Sequence, residues 1–286
     1  MGTISVILTA DWHLREDSPI CRIDDFEANQ WAKVNYIKKL QKRYDCPVLH
    51  AGDLFDHWKP SPSLLSKTIN FLPNKFYTVY GNHDLPQHNF ELRDKSGIYT
   101  LEKAGVLNRI PPLGIQFLSW NMIPFENEDD NILLWHTMTY KNVLPYPGCT
   151  SLTARRLLKK YSQFDLIVTG DNHETFIEEY KGRILVNPGS LTRQKALQME
   201  HKPCVFLWDA SNNMIEQIYI PIEKNVISRE HLEIEKKKDS RIENFVSSLD
   251  NDYITTLSFE ENLKEFENIN NIRNSVMNII YKAIEL

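Results

Sequence analysis

Five short apolar runs in the first two thirds of this chain each break at residues that can hold a metal ion or move a proton. Ile4-Ser5-Val6-Ile7-Leu8 leads to Asp11 and His13. Pro47-Val48-Leu49-His50 leads to Gly52-Asp53, and Phe76 to Tyr80 leads to Gly81-Asn82-His83-Asp84. Asn131 to Trp135 ends at His136, and Leu166 to Thr169 ends at Gly170-Asp171-Asn172-His173. Short β-branched runs read as buried strands. In a parallel sheet their C-terminal ends share one edge, where α/β sheets bind ligands. One polar strand end is ordinary turn chemistry. Five with imidazole, amide and carboxylate in register predict a site.

Between the strands the pattern is helical. Trp31, Val34, Ile37, Leu40 and Tyr44 recur at three- and four-residue steps, with Lys33, Lys39, Lys42 and Arg43 elsewhere. This predicts a core-packed helix over about Asp25 to Tyr44 with a solvated basic face. Ser61-Pro62 supplies an N-cap and first turn for a second helix. A third helix runs from Thr153 to about Tyr161. Thr175–Tyr180 with Arg183–Asn187, and Val205–Asp209 with Met214–Ile220, read as hairpins. From about residue 225 the expected order is β-α-β-α. His231–Glu235 alternates, and Ser240-x-x-Glu243 has the form of a capping box. Ile242, Phe245, Val246 and Leu249 share a face, Tyr253–Phe259 reads as a strand, and the last helix spans about Asn271 to Ile284.

Composition narrows the class. A chain of 286 residues, 42% hydrophobic and 25% charged, suits one large α/β domain and a smaller one. The expected division is 1–224 and 225–286. The net charge of −5 argues against a uniformly basic nucleic-acid binder, and four of those five charges fall in 225–286. Cys21, Cys46, Cys149 and Cys204 lie far apart with no C-x-x-C pairing, as in reduced cytosolic proteins. The start of the chain has no basic leader, and no apolar run reaches membrane-spanning length. The expectation is a cytoplasmic protein with no membrane partner.

The ordered set D-x-H (Asp11, His13), G-D (Gly52, Asp53), G-N-H-D (Gly81 to Asp84), a strand-end His136 and G-x-x-H (Gly170 to His173) resembles the calcineurin-like metallophosphoesterases over about residues 4–195. Ala51 to Asp56 and Asn187-Pro188-Gly189-Ser190-Leu191-Thr192-Arg193 resemble, more narrowly, the SbcD and meiotic-recombination type DNA repair nucleases. That resemblance implies a β-sandwich flanked by helices in four αββα layers, with a small α+β capping domain.

It also implies roles. Asp11, His13 and His173 would hold one metal, Asn82, His136 and Asp171 the second, and Asp53 would bridge them. The mixed nitrogen and oxygen ligands suit two Mn²⁺, with Mg²⁺ possible. Two such ions about 4 Å apart clamp a phosphodiester and activate a water for in-line attack. His83 would act on the substrate rather than the metal, with Asp84 orienting it, and Asp56 would be a second polar group on the substrate side. Arg155, Tyr146 and Arg193 are the candidate substrate contacts, with Lys195 beside them. Asp171 departs from the family's pattern, which places a histidine there. Its extra negative charge would weaken the second metal as a Lewis acid and favour Mn²⁺ or Mg²⁺ over Zn²⁺.

The activity implied is an Mn²⁺-dependent DNA exonuclease, with possible endonuclease action on single strands. DNA, an SbcC-type ATPase and a second copy of the chain are the implied partners, the last through helices near Ser63–Phe71 and Ser96–Ala104. Two other readings fit the same residues: a phosphodiesterase or phosphatase on small nucleotides, and a catalytically silent DNA-binding scaffold.

Overall fold

The computed structural model describes residues 6–107, 112, 114–250, 259–270 and 272–284. Two five-stranded sheets carry the larger unit, Met1–Arg229. The first contains β1 (Val6–Thr9), β2 (Val48–His50), β3 (Phe76–Thr78), β9 (Cys204–Asp209) and β10 (Met214–Tyr219), in the order β10-β9-β1-β2-β3. The second contains β4 (Ile115–Leu118), β5 (Ile132–His136), β6 (Leu166–Gly170), β7 (Phe176–Tyr180) and β8 (Arg183–Asn187), ordered β4-β5-β6-β8-β7. Strands β1, β2 and β3 pair in parallel, as do β4, β5, β6 and β8. The two hairpins are antiparallel, β7 with β8 and β9 with β10.

Alternation along the strands builds the layers. Leu8, Leu49 and Phe206 of the first sheet share an apolar cluster with Leu134, Val168 and Val186 of the second. Their neighbours Ile7, Val48 and Leu207 face outward onto α1 (Phe26–Tyr44), α2 (Pro62–Phe71) and α3 (Gly97–Lys103), through Val34, Ile37, Leu64 and Leu101. On the other side Leu133, Ile167 and Leu185 pack on Leu157 and Leu158 of α4 (Ala154–Lys160). The result is the expected αββα sandwich. Asp25, Ser61 and Thr153 cap α1, α2 and α4, each accepting a backbone N–H of the first turn.

Three local features differ from the sequence expectation. Strand β4 was not foreseen, because Gln116 interrupts its apolar run. In the fold that side chain is buried and clasps Phe125, accepting its N–H at 3.2 Å and donating to its carbonyl at 3.1 Å. Lys33, assigned to a solvated face, is 4% exposed and donates to Asn29. The expected strand His231–Glu235 lies in α5 (Glu230–Asp250), and Ser240 sits inside that helix with its hydroxyl donating to the Lys237 carbonyl. The Glu- and Lys-rich composition favours helix, which outweighs the two-residue alternation.

The smaller unit, Glu230–Leu286, consists among its described residues of α5, α6 (Phe259–Asn270) and α7 (Asn274–Ile284). The expected strand from Tyr253 lies outside the described residues apart from Phe259, which begins α6. The expected face of Phe245, Val246 and Leu249 also involves side chains outside the description. Val226–Ser228 belong to the larger unit, with Ser228 N–H donating to Cys21 and Ile23 N–H donating to Val226. No helix among the described residues is long and apolar enough to cross a membrane.

Burial drives the Lys33 ammonium down to about 8, and the nearby Arg22 and Arg193 add to the effect. The unfolded chain therefore binds more protons than the folded one between about pH 8 and 10.5, so stability contributed at this position rises with pH across that window. Lys33→Met should raise the melting temperature at pH 7, by up to about 2–3 kcal/mol of stability. The gain should shrink as pH rises toward 10, as thermal melts at several pH values would read.

Candidate metal centre

All five polar strand ends meet at one edge of the sandwich. The loops beyond β1 and β2 continue side by side, with Asp11 N–H donating to Gly52 and His13 N–H to Asp53. Asp11, His13, Asp53 and Asp171 adopt φ values of 48°, 44°, 57° and 81°. Left-handed backbone at a non-glycine residue costs about 1–3 kcal/mol and collects at functional sites. Four of the seven expected ligands carry that strain. Gly52 has φ 89°, and a Cβ there would run into the His136 ring. A Cβ on Gly81 would strike the Asp53 carboxylate. These glycines let the ligand-bearing loops close on each other.

The donor atoms converge. His13 Nε2 lies 3.0 Å from His173 Nε2 and 3.5 Å from Asp53 Oδ2. His136 Nε2 lies 3.0 Å from Asn82 Oδ1, 3.6 Å from Asp53 Oδ2 and 3.9 Å from Asp171 Oδ1. His136 Nδ1 donates to the Ala51 carbonyl at 2.7 Å, which fixes the tautomer and turns the Nε2 lone pair inward. Asp53 faces both histidines and accepts the His83 N–H at 2.9 Å through Oδ1. Asp11 Oδ1 accepts the Asp171 N–H at 3.0 Å, while its buried Oδ2 has no protein partner. Asp11, His13 and His173 bring one ligand atom each within 4.8 Å, and so do Asp11, Asp53 and His136. A buried carboxylate oxygen without a donor, facing imidazole nitrogens, fits cations bound between these groups. His13, Asp53 and His83 meet the same distance criterion.

Several side chains have other work than expected. Asp84 is 1% exposed and does not orient His83. Its carboxylate accepts the N–H groups of Leu54, Phe55 and Gly81 at 3.2, 3.1 and 3.0 Å, tying the loops after β2 and β3 together. His83 is instead held by the Asp56 backbone carbonyl, 2.8 Å from Nδ1. The Asp56 side chain lies between His13 Nδ1 at 3.5 Å and Arg15 Nη1 at 3.0 Å, on the wall of a cavity of about 120 Å³ that His83 also lines. Arg193 is buried, donating to the carbonyls of Met199 and Glu223, so it braces the loop after β8 and is not available to a substrate. Arg155 pairs with Glu178 at 3.1 Å beside the Tyr180 ring and joins neither the ligand cluster nor that cavity. Tyr146 is exposed. Cys149 raises its phenol most, and the Asp171 charge reaches it too.

Residues that sequence reasoning passed over hold the site. Asn187 donates to the carbonyls of Asn172 and Glu174, and accepts from Thr169 Oγ1 at 2.9 Å, fixing the loop that carries Asp171 and His173. Gln194 donates to the His13 carbonyl at 3.0 Å. Arg15, two residues past His13, was within reach of a sequence reading. Gln194 was not, since its role depends on a bond across the fold.

Charge at the site explains how it would respond to metal. Burial lifts the Asp11 and Asp171 carboxyls, and Asp53 beside them adds to the rise. Burial pushes His13 and His136 down, but Asp53 and its neighbouring carboxylates more than offset this and hold both above the usual imidazole value. Burial, with His13 adjoining, drops His173 to about 2, which favours the neutral imidazole a metal requires. All four raised groups favour protons in the metal-free fold, so the stability they contribute falls as pH rises through their pKa values. Cation binding must expel those protons. The melting-temperature gap between metal-loaded and chelator-treated protein should therefore widen from pH 6 to pH 8. Titration calorimetry in buffers of different ionisation enthalpy should show proton release on Mn²⁺ binding.

Residues 4–213 match the calcineurin-like phosphoesterase superfamily domain. Among solved structures, the chain is similar to a novel archaeal phosphodiesterase at 15% identity, covering 75% of this chain and 99% of that one, with a TM-score of 0.41. A putative 5′-nucleotidase from Staphylococcus aureus is 12% identical over 82% of this chain and 58% of its own, TM-score 0.44. A metallophosphoesterase from Sphaerobacter thermophilus is 14% identical over 76% and 89%, TM-score 0.38. A search of curated proteins returned no match. With the domain match spanning most of its length, this chain belongs to the calcineurin-like phosphoesterase superfamily.

Proposed function

We propose that this protein is a two-metal phosphodiesterase that cuts DNA, with Mn²⁺ preferred and Mg²⁺ admitted, in the manner of the SbcD-type nucleases. One observation carries the reading of the chemistry. His83 is an exposed imidazole at the rim of a buried donor cluster, its ring 4.7 Å from that of His13, centroid to centroid. Its Nδ1–H donates to the Asp56 carbonyl, which leaves Nε2 as the atom that gains or gives a proton. Bound cations would supply charge neutralisation and a nucleophile at neutral pH. His83 would protonate the leaving oxygen, and Asp53, which accepts the His83 backbone N–H, sets the distance between that acid and the ligand cluster.

DNA is favoured by the second, helical unit and by the exposed loop after β5, where Tyr146 and Val143 offer surface to a base. By the same resemblance the nuclease would work as a homodimer with an SbcC-type ATPase, and sedimentation equilibrium with and without that partner checks both. The small-nucleotide reading has its own support. Arg193 is consumed inside the protein, and the net charge is −5.

The deciding assay sets linear duplex DNA against cyclic and monoester nucleotides, with Mn²⁺, for wild type and His83→Ala. DNA cleavage that falls on the order of 10²–10⁴-fold in His83→Ala, with metal content unchanged, is the expected result. Turnover of nucleotides without DNA would overturn the nuclease assignment. Replacing a poor alkoxide leaving group with p-nitrophenolate should shrink the His83→Ala defect, because a good leaving group needs no proton. Asp171→His should move the rising limb of the pH–rate profile to lower pH and raise activity with Zn²⁺ relative to Mn²⁺.

A further inference from the structure

His13 turns Nε2 toward His173 and Asp53, while its other ring nitrogen, Nδ1, is buried. Among the described residues no hydrogen-bond partner reaches that Nδ1. Asp56 Oδ1 stands 3.5 Å away, just beyond bonding distance. A buried imidazole nitrogen left unpaired is costly. His136 shows the contrast, since its Nδ1 is anchored on the Ala51 carbonyl at 2.7 Å. His13 also holds φ 44°, so its backbone is strained at the residue whose ring lacks an anchor.

The surroundings of Asp56 are built to keep its carboxylate in place. The two oxygens divide, Oδ1 facing His13 and Oδ2 accepting Arg15 Nη1 at 3.0 Å. The rest of the Arg15 guanidinium is tied to Asp17, with Nε donating to Oδ1 at 3.0 Å and Nη2 to Oδ2. Gln30, a fully buried side chain of α1, clasps the Arg15 main chain from both sides. It accepts the Arg15 N–H at 3.1 Å and donates to the Arg15 carbonyl at 3.0 Å. Gln194 closes the circuit, accepting from Arg15 Nη1 at 3.4 Å and donating to the His13 carbonyl at 3.0 Å. His13, Asp56, Arg15 and Gln194 thus form a polar ring that reaches His13 at its imidazole and at its backbone. A surface ion pair needs no such frame.

We propose that Asp56 is a positioning residue that acts through His13, with Arg15 and Gln30 holding its carboxylate on station. With Nε2 given to a cation, Nδ1 carries the ring proton, and Asp56 Oδ1 is the acceptor that takes it. A carboxylate behind a ligating imidazole fixes its tautomer and orientation and raises its basicity. This differs from the substrate-side role expected of Asp56 from the sequence. It rests on the metal-binding part of the reading above and holds whether the substrate is DNA or a nucleotide.

The test is calorimetric titration of Mn²⁺ into chelator-treated wild type, Asp56→Asn, Asp56→Ala and Arg15→Leu. Melting temperatures of the metal-free proteins and hydrolysis of bis(p-nitrophenyl) phosphate across Mn²⁺ concentrations accompany it. The substitutions at 56 keep the backbone carbonyl, and with it the anchor of His83. Asp56→Ala should weaken Mn²⁺ binding by roughly 10–100-fold. Asp56→Asn, which keeps an oxygen acceptor without the charge, should lose less, and Arg15→Leu should shift affinity in the same direction. Saturating Mn²⁺ should restore most of the turnover, because this carboxylate acts on a ligand and not on the substrate. Unchanged Mn²⁺ affinity in Asp56→Ala would overturn the proposal, as would a turnover defect that saturating Mn²⁺ leaves unrepaired. An equal fall in metal-free melting temperature for Asp56→Ala and Arg15→Leu with affinity intact would reduce the pair to a structural ion bridge and overturn it too. Wild type that binds no Mn²⁺ would remove both this proposal and the metal reading. Wild type that binds Mn²⁺ and cuts no DNA, with affinity falling as stated in Asp56→Ala, would remove the nuclease and keep Asp56 in this role.

Discussion

Three carboxylates, Asp11, Asp53 and Asp171, crowd one edge of the sandwich, and among the described residues no lysine or arginine joins the converging atoms. Asp11 and Asp53 are at most 1% exposed. Among the described residues, the imidazoles of His13 and His136 and the backbone N–H groups of Asp171 and His83 offset part of this charge. The backbone adds its own cost, since four ligand positions take left-handed φ values. Such an arrangement lasts only because the rest of the fold over-determines it. Strands β1, β2 and β3 aim the loops, Asp84 ties two of them together through three N–H groups, and Asn187 pins a third. Much of the sandwich edge therefore serves to hold repelling groups together until cations satisfy them.

The legible part of this site follows the local rules of strands. Short apolar runs fixed where strands end, and the residue types at those ends declared metal chemistry. What stayed hidden depends on bonds between side chains and backbone far apart in sequence. Asp84 reads as a partner for its neighbour His83, yet it faces the other way, toward Gly81 and the turn at Leu54 and Phe55. Arg193 reads as a free cation near a motif, but the carbonyls of Met199 and Glu223 absorb it. Lys33 falls on the polar arc of α1 by periodicity, but Arg22 and the loop after β8 cover that arc, so the basic face of the helix is narrower than its sequence suggests. At the C-terminal end, His-Leu-Glu-Ile-Glu alternates like a strand, and the choice fell to helix propensity over the longer window.

The division of labour within Gly81-Asn82-His83-Asp84 follows from geometry at single-residue scale. A glycine without Cβ lets Asp53 approach. Asn82 then turns its carbonyl oxygen to His136, His83 turns out to solvent, and Asp84 turns back into the fold. Consecutive residues pointing three ways require a tight turn, and the Asp84 carboxylate bonded to Gly81 N–H closes it. Loss of that carboxylate would misplace Asn82 and His83 together.

Asp171 and Asn82 both face His136 Nε2, and in the proposed two-metal reading that pair would set the second site apart from the first. On that reading the Asp11 site would have two imidazoles and the Asn82 site one. A carboxylate in place of a neutral nitrogen donor would make the second position harder and more negative, so that a cation there would retain less positive charge to act on a substrate oxygen. A histidine at position 171 would have matched the two sites. With aspartate, the proposed asymmetry would put the weaker Lewis acid at the Asn82 end, and the burden of stabilising the leaving group would shift toward the exposed imidazole of His83.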